Sequence, residues 1–384
     1  MRVWVFTFEY GPSIIGGLGV VATRLSQALA DLGHEVTVFA RAGGQPGITH
    51  DAGLTVIRLP ARAPFYLRRR RRYKIHPVAD LAAELGLSRP DVIHVHSVPF
   101  TNVALHLGRV HGAPVFYTCH SLVREEPKSP LRNLVMRQQE RLLTECDCVI
   151  VPSGWQWRTL ESAYPACAGR VRVIANGVDL PEGIRLATAA MDAERARRDR
   201  LRLLFVGRLV AGKGVQSLLK AVAILRRRGL PVQLDVVGRG SQAYTKHLRE
   251  TARRLGVAKR VRWLGFREPS AMPQVYLAHD VVVVPSRQES FGLVALEAMA
   301  WGVPLVSTRS GGLADFVDPQ VAEVIPRTTG LAVANAVQRI VRQPGAALSY
   351  VEEARRRAED YTWHRVAKRY AALFAKFCPR TNLG

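Results

Sequence analysis

Val3-Trp4-Val5-Phe6-Thr7-Phe8 is an unbroken strand-like run, and Gly11-Pro12-Ser13-Ile14-Ile15-Gly16-Gly17-Leu18-Gly19 follows it almost at once. Past the glycines the apolar residues change period. Val21, Leu25, Leu29 and Leu32 fall on one face of a helix. Gly33 stops that helix, and Val36-Thr37-Val38-Phe39 reads as the next strand. Strand, helix and strand make a βαβ unit, and such a crossover gives parallel strands.

Strand-like runs continue at Thr55–Leu59, Val92–Val95, Val115–Thr118, Cys148–Val151 and Val171–Ile174, mostly with helical segments between them. The programme restarts at Leu201–Val206. The loop Gly207–Gly214 follows, then a helix with Val215, Leu218, Leu219, Val222 and Leu225 on its buried side, then the strand Val232–Val237. Later strands are expected at Val261–Leu264, Val281–Val284 and Leu305–Thr308. The reading is an α/β fold with two Rossmann-like, doubly wound domains. They are assigned to residues 1–180 and 181–360, with 361–384 as a closing helix and a linker within Pro181–Arg200. A cleft facing the carboxyl ends of the strands is the default ligand site.

The 384 residues are enough for two hydrophobic cores, and 48% apolar with 22% charged residues is ordinary for a globular protein. Disordered, collagen-like and disulfide-scaffold classes are excluded. The charge is unusual: 55 basic against 31 acidic residues give +24. Such a surface suits nucleic acid, anionic lipid or phosphorylated substrates. The five scattered cysteines read as buried reduced thiols. Met1-Arg2 runs straight into a strand, and no run reaches the ~18 apolar residues of a membrane span. The expected place is the cytoplasm, with the inner membrane face as a peripheral alternative.

The densest signal is Pro285-Ser286-Arg287-Gln288-Glu289-Ser290-Phe291-Gly292-Leu293-Val294-Ala295-Leu296-Glu297. It follows the apolar strand Val281–Val284, and a helix is expected from Phe291 to Trp301, with Leu293, Leu296 and Ala300 facing inward. The N–H groups of Phe291, Gly292 and Leu293 then lie at a helix start, where a phosphate fits. Glu289 and Glu297 are acceptors for sugar or ribose hydroxyls, or else ordinary solvated glutamates. Gly207-Arg208-Leu209-Val210-Ala211-Gly212-Lys213-Gly214 contains G-x-x-x-x-G-K, but Gly214 replaces the magnesium-holding hydroxyl of a P-loop. What remains is Arg208 and Lys213, two cations suited to a diphosphate, or a solvated basic turn. Gly16-Gly17-Leu18-Gly19 is not G-x-G-x-x-G, so a nicotinamide reading weakens. His94 and His96 project to one side, with no third ligand placed to complete a metal site. His120 sits where ligand-facing loops arise, although a structural role is open to it. Arg68–Arg72, flanked by Phe65-Tyr66 and Tyr73-Lys74, reads as a solvated loop, an anionic-membrane or phosphorylated-acceptor contact, or a nucleic-acid contact. No nucleic-acid-binding motif accompanies it.

These marks together, with Asp91-Val92-Ile93-His94-Val95-His96, Thr118-Cys119-His120 and Val173-Ile174-Ala175-Asn176-Gly177-Val178-Asp179, resemble the retaining glycosyltransferases that include glycogen and sucrose synthases and bacterial mannosyltransferases. The likeness spans nearly the whole chain, and Glu289 to Glu297 is that family's E-x7-E element. The resemblance implies the GT-B fold and transfer of a hexose from a nucleotide diphosphate sugar to a hydroxyl acceptor, forming an α bond. It implies that Arg208 and Lys213 neutralise the diphosphate and that Glu297 holds the ribose. Glu289 would touch the transferred sugar, beside backbone N–H groups of Phe291, Gly292 and Leu293. The Val261–Phe266 region would contact the base, and Gly17 and His120 would face the sugar. Tyr361-Thr362-Trp363 looks like the closing segment. No cofactor is expected beyond the nucleotide sugar as co-substrate, and no metal, since no DxD-type motif is evident. UDP-glucose-type donors come first and GDP-mannose second; the acceptor is a sugar, a lipid or a small molecule. Ile15 stands where starch and glycogen synthases carry lysine, and Asp315 where the family often has glutamate. A nucleotide-sugar epimerase, a P-loop ATPase and a two-carboxylate glycosidase are the competing readings.

Overall fold

A computed structural model of the chain describes residues 1–41, 43, 45–51, 53–60, 76–126, 131–181 and 200–378. The chain divides into two compact units, Met1–Gly177 with Trp363–Gly384, and Val178–Thr362. The first boundary thus comes just before the expected Pro181–Arg200. Val178 belongs with the second unit because its N–H donates to the Tyr361 carbonyl at 2.8 Å and it bridges to Thr362. Residues 182–199 lie outside the described residues, as does the basic run Arg68–Arg72.

The first unit is built on eight strands: β1 (Arg2–Thr7), β2 (Glu35–Arg41), β3 (Gly47–Asp51), β4 (Leu54–Leu59), β5 (Val92–Val95), β6 (Val115–Thr118), β7 (Cys148–Val151) and β8 (Val171–Val173). Their order is β3-β4-β2-β1-β5-β6-β7-β8, parallel except for the antiparallel β3–β4 pair. Strands apolar on both faces are what a sheet covered by helices requires. Val3, Val5 and Phe6 of β1 are all buried, and Phe6 stacks on Phe39 with ring centroids 4.8 Å apart. The helix Gly17–Asp31 buries Val21, Leu25 and Leu29. Against it packs the helix Trp363–Ala375, which buries Val366, Tyr370 and Phe374 and brings Phe374 edge-on to Phe116 at 4.7 Å.

The second unit carries β9 (Leu201–Val206), β10 (Val232–Val237), β11 (Val261–Gly265), β12 (Val281–Val284), β13 (Leu305–Ser307) and β14 (Glu323–Val324), in the parallel order β11-β10-β9-β12-β13-β14. The helix Val215–Arg227 buries all five residues of its apolar face and packs on the helix Gly330–Arg342.

The sequence pattern did not indicate β3 or β14. All five residues of β3 are exposed, so no apolar alternation marks it, and β14 is two residues long. The helix expected from Phe291 begins at Leu293, because Gly292 takes a left-handed conformation, and it ends at Ala300. Leu296 and Ala300 are buried, whereas Leu293 is only half-buried. Of the cysteines, four are buried and Cys378 is half-buried; none forms a disulfide. Among the described residues no helix is long and apolar enough to cross a membrane.

Asp235 is a buried charge inside the second sheet. Asp235 of β10 accepts from Arg262 Nε at 2.6 Å, and its other oxygen lies 3.0 Å from His279 Nε2. These contacts hold its carboxyl below the ordinary range against the cost of burial. Removing it takes a hydrogen-bond partner from His279 Nε2 inside the buried sheet, although His279 Nδ1 keeps its contact with the Val275 carbonyl at 2.5 Å. Asp235→Ala should therefore cost about 2 kcal/mol, read as a lower melting midpoint of the second unit; an unchanged midpoint would show that the cluster carries no stability.

Candidate active site

β9, β12 and β13 are parallel neighbours, so the loops after them emerge at one sheet edge. The first loop ends in a 3₁₀ turn, Ala211–Lys213, followed by Gly214 at φ +76°. A Cβ on Gly214 would sit 2.1 Å from the Pro285 carbonyl oxygen, so only glycine lets the first loop lie against the second. The Arg287 N–H donates to Gly212 O at 2.7 Å across the same seam. This approach delivers Lys213 to Glu289: Nζ donates to Oε1 at 2.5 Å, with both side chains largely shielded from water.

Glu289 is held from two more sides. Ser286 Oγ donates to the same carboxylate oxygen at 2.9 Å. From the loop after β13, the Gly312 N–H donates to the Glu289 carbonyl at 2.8 Å. Gly311, at φ +66°, lies where a Cβ would be 2.1 Å from that carbonyl oxygen. Arg208 stands exposed just beyond β9. The helix Leu293–Ala300 starts at Gly292 with no side chain capping it, so its first N–H groups are donors of the kind an anion takes. Phe291 is buried against Phe316, ring centroids 5.0 Å apart.

Glu297 lies further along this helix, and Tyr276 O–H donates to its Oε2. Burial pushes its carboxyl up to about 7; the tyrosine bond opposes the shift and the charge of Asp179 adds to it. At the end of β11, the Arg239 guanidinium lies 5.1 Å from the centroid of Phe266.

In the first unit Gly17 opens its helix, and the preceding turn is clamped by Glu9, whose Oε2 accepts from the N–H groups of Ile15 and Gly16, each at 2.9 Å. His120 lies just past β6, with Nε2 2.9 Å from His96 Nδ1. His94 and His96 do share a side, their ring centroids 4.2 Å apart. Among the described residues no three His, Cys, Asp or Glu side chains gather as a metal ion would need.

Residues 15–182 match the Glycosyltransferase Family 4 domain, and residues 188–357 match Glycosyl transferases group 1. Glycogen synthase of Mycobacterium tuberculosis is 31% identical over 401 residues, covering 97% of this chain and 94% of that one. The chain belongs to the GT-B glycosyltransferases. D-inositol 3-phosphate glycosyltransferase of Salinispora arenicola is also 31% identical, over 97% of this chain and 90% of that one. Sucrose-phosphate synthase of Thermosynechococcus elongatus superposes with a TM-score of 0.78 at 24% identity, over 98% and 99% of the two chains. HepE of Anabaena, solved with UDP-glucose, superposes with a TM-score of 0.74 at 21% identity, over 98% and 100%.

For this glycosyltransferase the structure brings Lys213 and Glu289 into direct contact, places Phe291, Gly292 and Leu293 just beyond them, and sets Glu297 apart on Tyr276. Sequence reasoning missed Ser286, Tyr276, Gly311 and His96 as partners of these groups. Ser286 stands in a stretch it had singled out, and Gly311 lies four residues before Asp315. Tyr276 lies in the short helix Met272–Leu277, which carries no periodic signal.

The raised Glu297 carboxyl has a stability consequence. It binds its proton more tightly folded than unfolded, so its contribution favours folding at low pH and is lost as pH climbs from about 4.5 through about 7. Between pH 5 and 8 the wild-type melting midpoint should fall relative to that of Glu297→Gln; parallel curves would show that the carboxyl ionises normally.

Proposed function

We propose that this glycosyltransferase is a retaining, metal-independent hexosyltransferase that takes its sugar from a nucleotide diphosphate donor, UDP-glucose first and GDP-mannose second. The observation that carries the reading is the Lys213–Glu289 contact beside the start of the helix Leu293–Ala300. A cation for phosphate, a carboxylate for sugar hydroxyls and helix N–H donors are what a sugar diphosphate needs on one side. Arg208 adds a second cation, and Glu297 accepts from the ribose in its ionised form. Gly17 and His120 serve the sugar from the first unit, and the Val261–Phe266 region serves the base. Support for a UDP sugar comes from HepE, solved with UDP-glucose at a similar fold.

In this reading the acceptor oxygen attacks the anomeric carbon from the face the diphosphate leaves. The bond from that carbon to the phosphate oxygen breaks, and the acceptor proton passes to the departing phosphate. Lys213, Arg208 and the helix start stabilise the charge that builds there. The acceptor is a hydroxyl of a sugar, lipid or small molecule, and inositol phosphate is brought into view by the Salinispora relative. Ile15, 78% exposed where the synthases carry lysine, argues for an acceptor other than a growing glucan. The membrane contact through Arg68–Arg72 belongs to this proposal and concerns residues outside those described.

The test is a panel of nucleotide sugars and acceptors, followed by product mass and anomeric configuration. Lys213→Ala and Glu289→Ala should each lower kcat/KM by about 100-fold or more, and transfer at the parental rate would mean that the site lies elsewhere. A chelator should leave the rate unchanged; loss that magnesium restores would overturn metal independence. An altered nucleotide sugar without an acceptor product would favour the epimerase.

A further inference from the structure

The buried histidines of the first unit form two hydrogen-bonded links, and their unpaired nitrogens determine where the protons sit. His96 is 2% exposed; its Nδ1 lies 2.9 Å from His120 Nε2, and its Nε2 is buried with no partner among the described residues. His94 is fully buried; its Nε2 lies 2.7 Å from Thr118 Oγ1, and its Nδ1 is buried with no partner among the described residues. Burial keeps all three rings neutral: His94 is pushed down to about 3, His120 to about 4, and His96 also lies well below its ordinary value. Each ring therefore carries one proton.

A buried N–H without an acceptor is costlier than a bare ring lone pair. That places the His94 proton on Nε2, donated to Thr118, whose hydroxyl lies 3.2 Å from Tyr370 Oη. By the same reasoning the His96 proton sits on Nδ1, whose partner among the described residues is His120 Nε2. An accepting Nε2 leaves the single proton of His120 on Nδ1. The His96 ring is hemmed in, because His94 packs against it at a tilt and is itself held by Tyr370 and Phe374, each with its centroid 5.4 Å from that of His94.

We propose that His96 is a positioning residue: it donates from Nδ1 to His120 Nε2 and fixes His120 as a neutral N–H donor at Nδ1. His120 is half-buried, and in this proposal its Nδ1 proton is the one offered to a ligand. Resting on the proposed reaction, its acceptor is a hydroxyl or ring oxygen of the transferred sugar, and His120 does not act as a general base there.

The experiment uses the full chain labelled with ¹⁵N-histidine, with long-range ¹H–¹⁵N spectra recorded near pH 7 before any substrate is added. The expected result is His120 protonated at Nδ1. His96→Leu should release the tautomer, seen as Nε2 protonation, and lower kcat about tenfold with little change in KM. His96→Asn, which returns an N–H close to the position of Nδ1, should restore both. A wild-type His120 protonated at Nε2 overturns the proposal. So does an unchanged tautomer in folded His96→Leu, with folding judged by the melting midpoint. If the tautomer behaves as expected but no nucleotide sugar is consumed, the reaction assignment fails and the His96–His120 link stands.

Discussion

Parallel pairing is the constraint on which this molecule depends. In a parallel sheet every strand delivers its following loop to the same edge. β9, β12 and β13 are neighbours in space although their loops are far apart in sequence. Lys213 and Glu289, 76 residues apart, meet for that reason. The meeting also needs two places with no side chain, Gly214 against Pro285 and Gly311 against Glu289. Topology brings the loops close, and glycine permits the final approach.

Polar groups in both units are partnered before any ligand arrives. Glu289 accepts from Lys213 and Ser286, Glu297 from Tyr276, and His120 lies against His96. In a poorly hydrated setting such bonds are stronger than in water, and leaving one partner alone is costlier. Each group is thereby held in one orientation. The charge states differ accordingly: Glu297 is shifted towards neutrality, while Asp235, with Arg262 and His279 beside it, stays ionised.

The fold was legible because its signal is local. Val21, Leu25 and Leu29 at helical spacing, and Val281–Val284 as an apolar run before a loop, are visible one window at a time. β3 was not, since an exposed edge strand has no buried face to write into the sequence. In the site, motif spacing singled out Lys213, Glu289 and Glu297 but could not join them. Tyr276 and His96 were illegible as partners because their contacts with Glu297 and His120 are fixed by tertiary packing, not by neighbours in the chain. The strand pattern projects His94 and His96 to one side without a third metal ligand; the structure turns one towards Thr118 and the other towards His120.

The helix Trp363–Ala375 is part of the first unit, yet it is made after the whole of the second. During synthesis residues 178–362 can close their own core while the first unit still lacks the helix that supplies Tyr370 to Thr118 and Phe374 to Phe116. Domains commonly fold in the order in which they leave the ribosome. Here the order of completion is reversed: the segment that begins the chain is the last to be finished, and until then the apolar surface under that helix is open to water and to other chains.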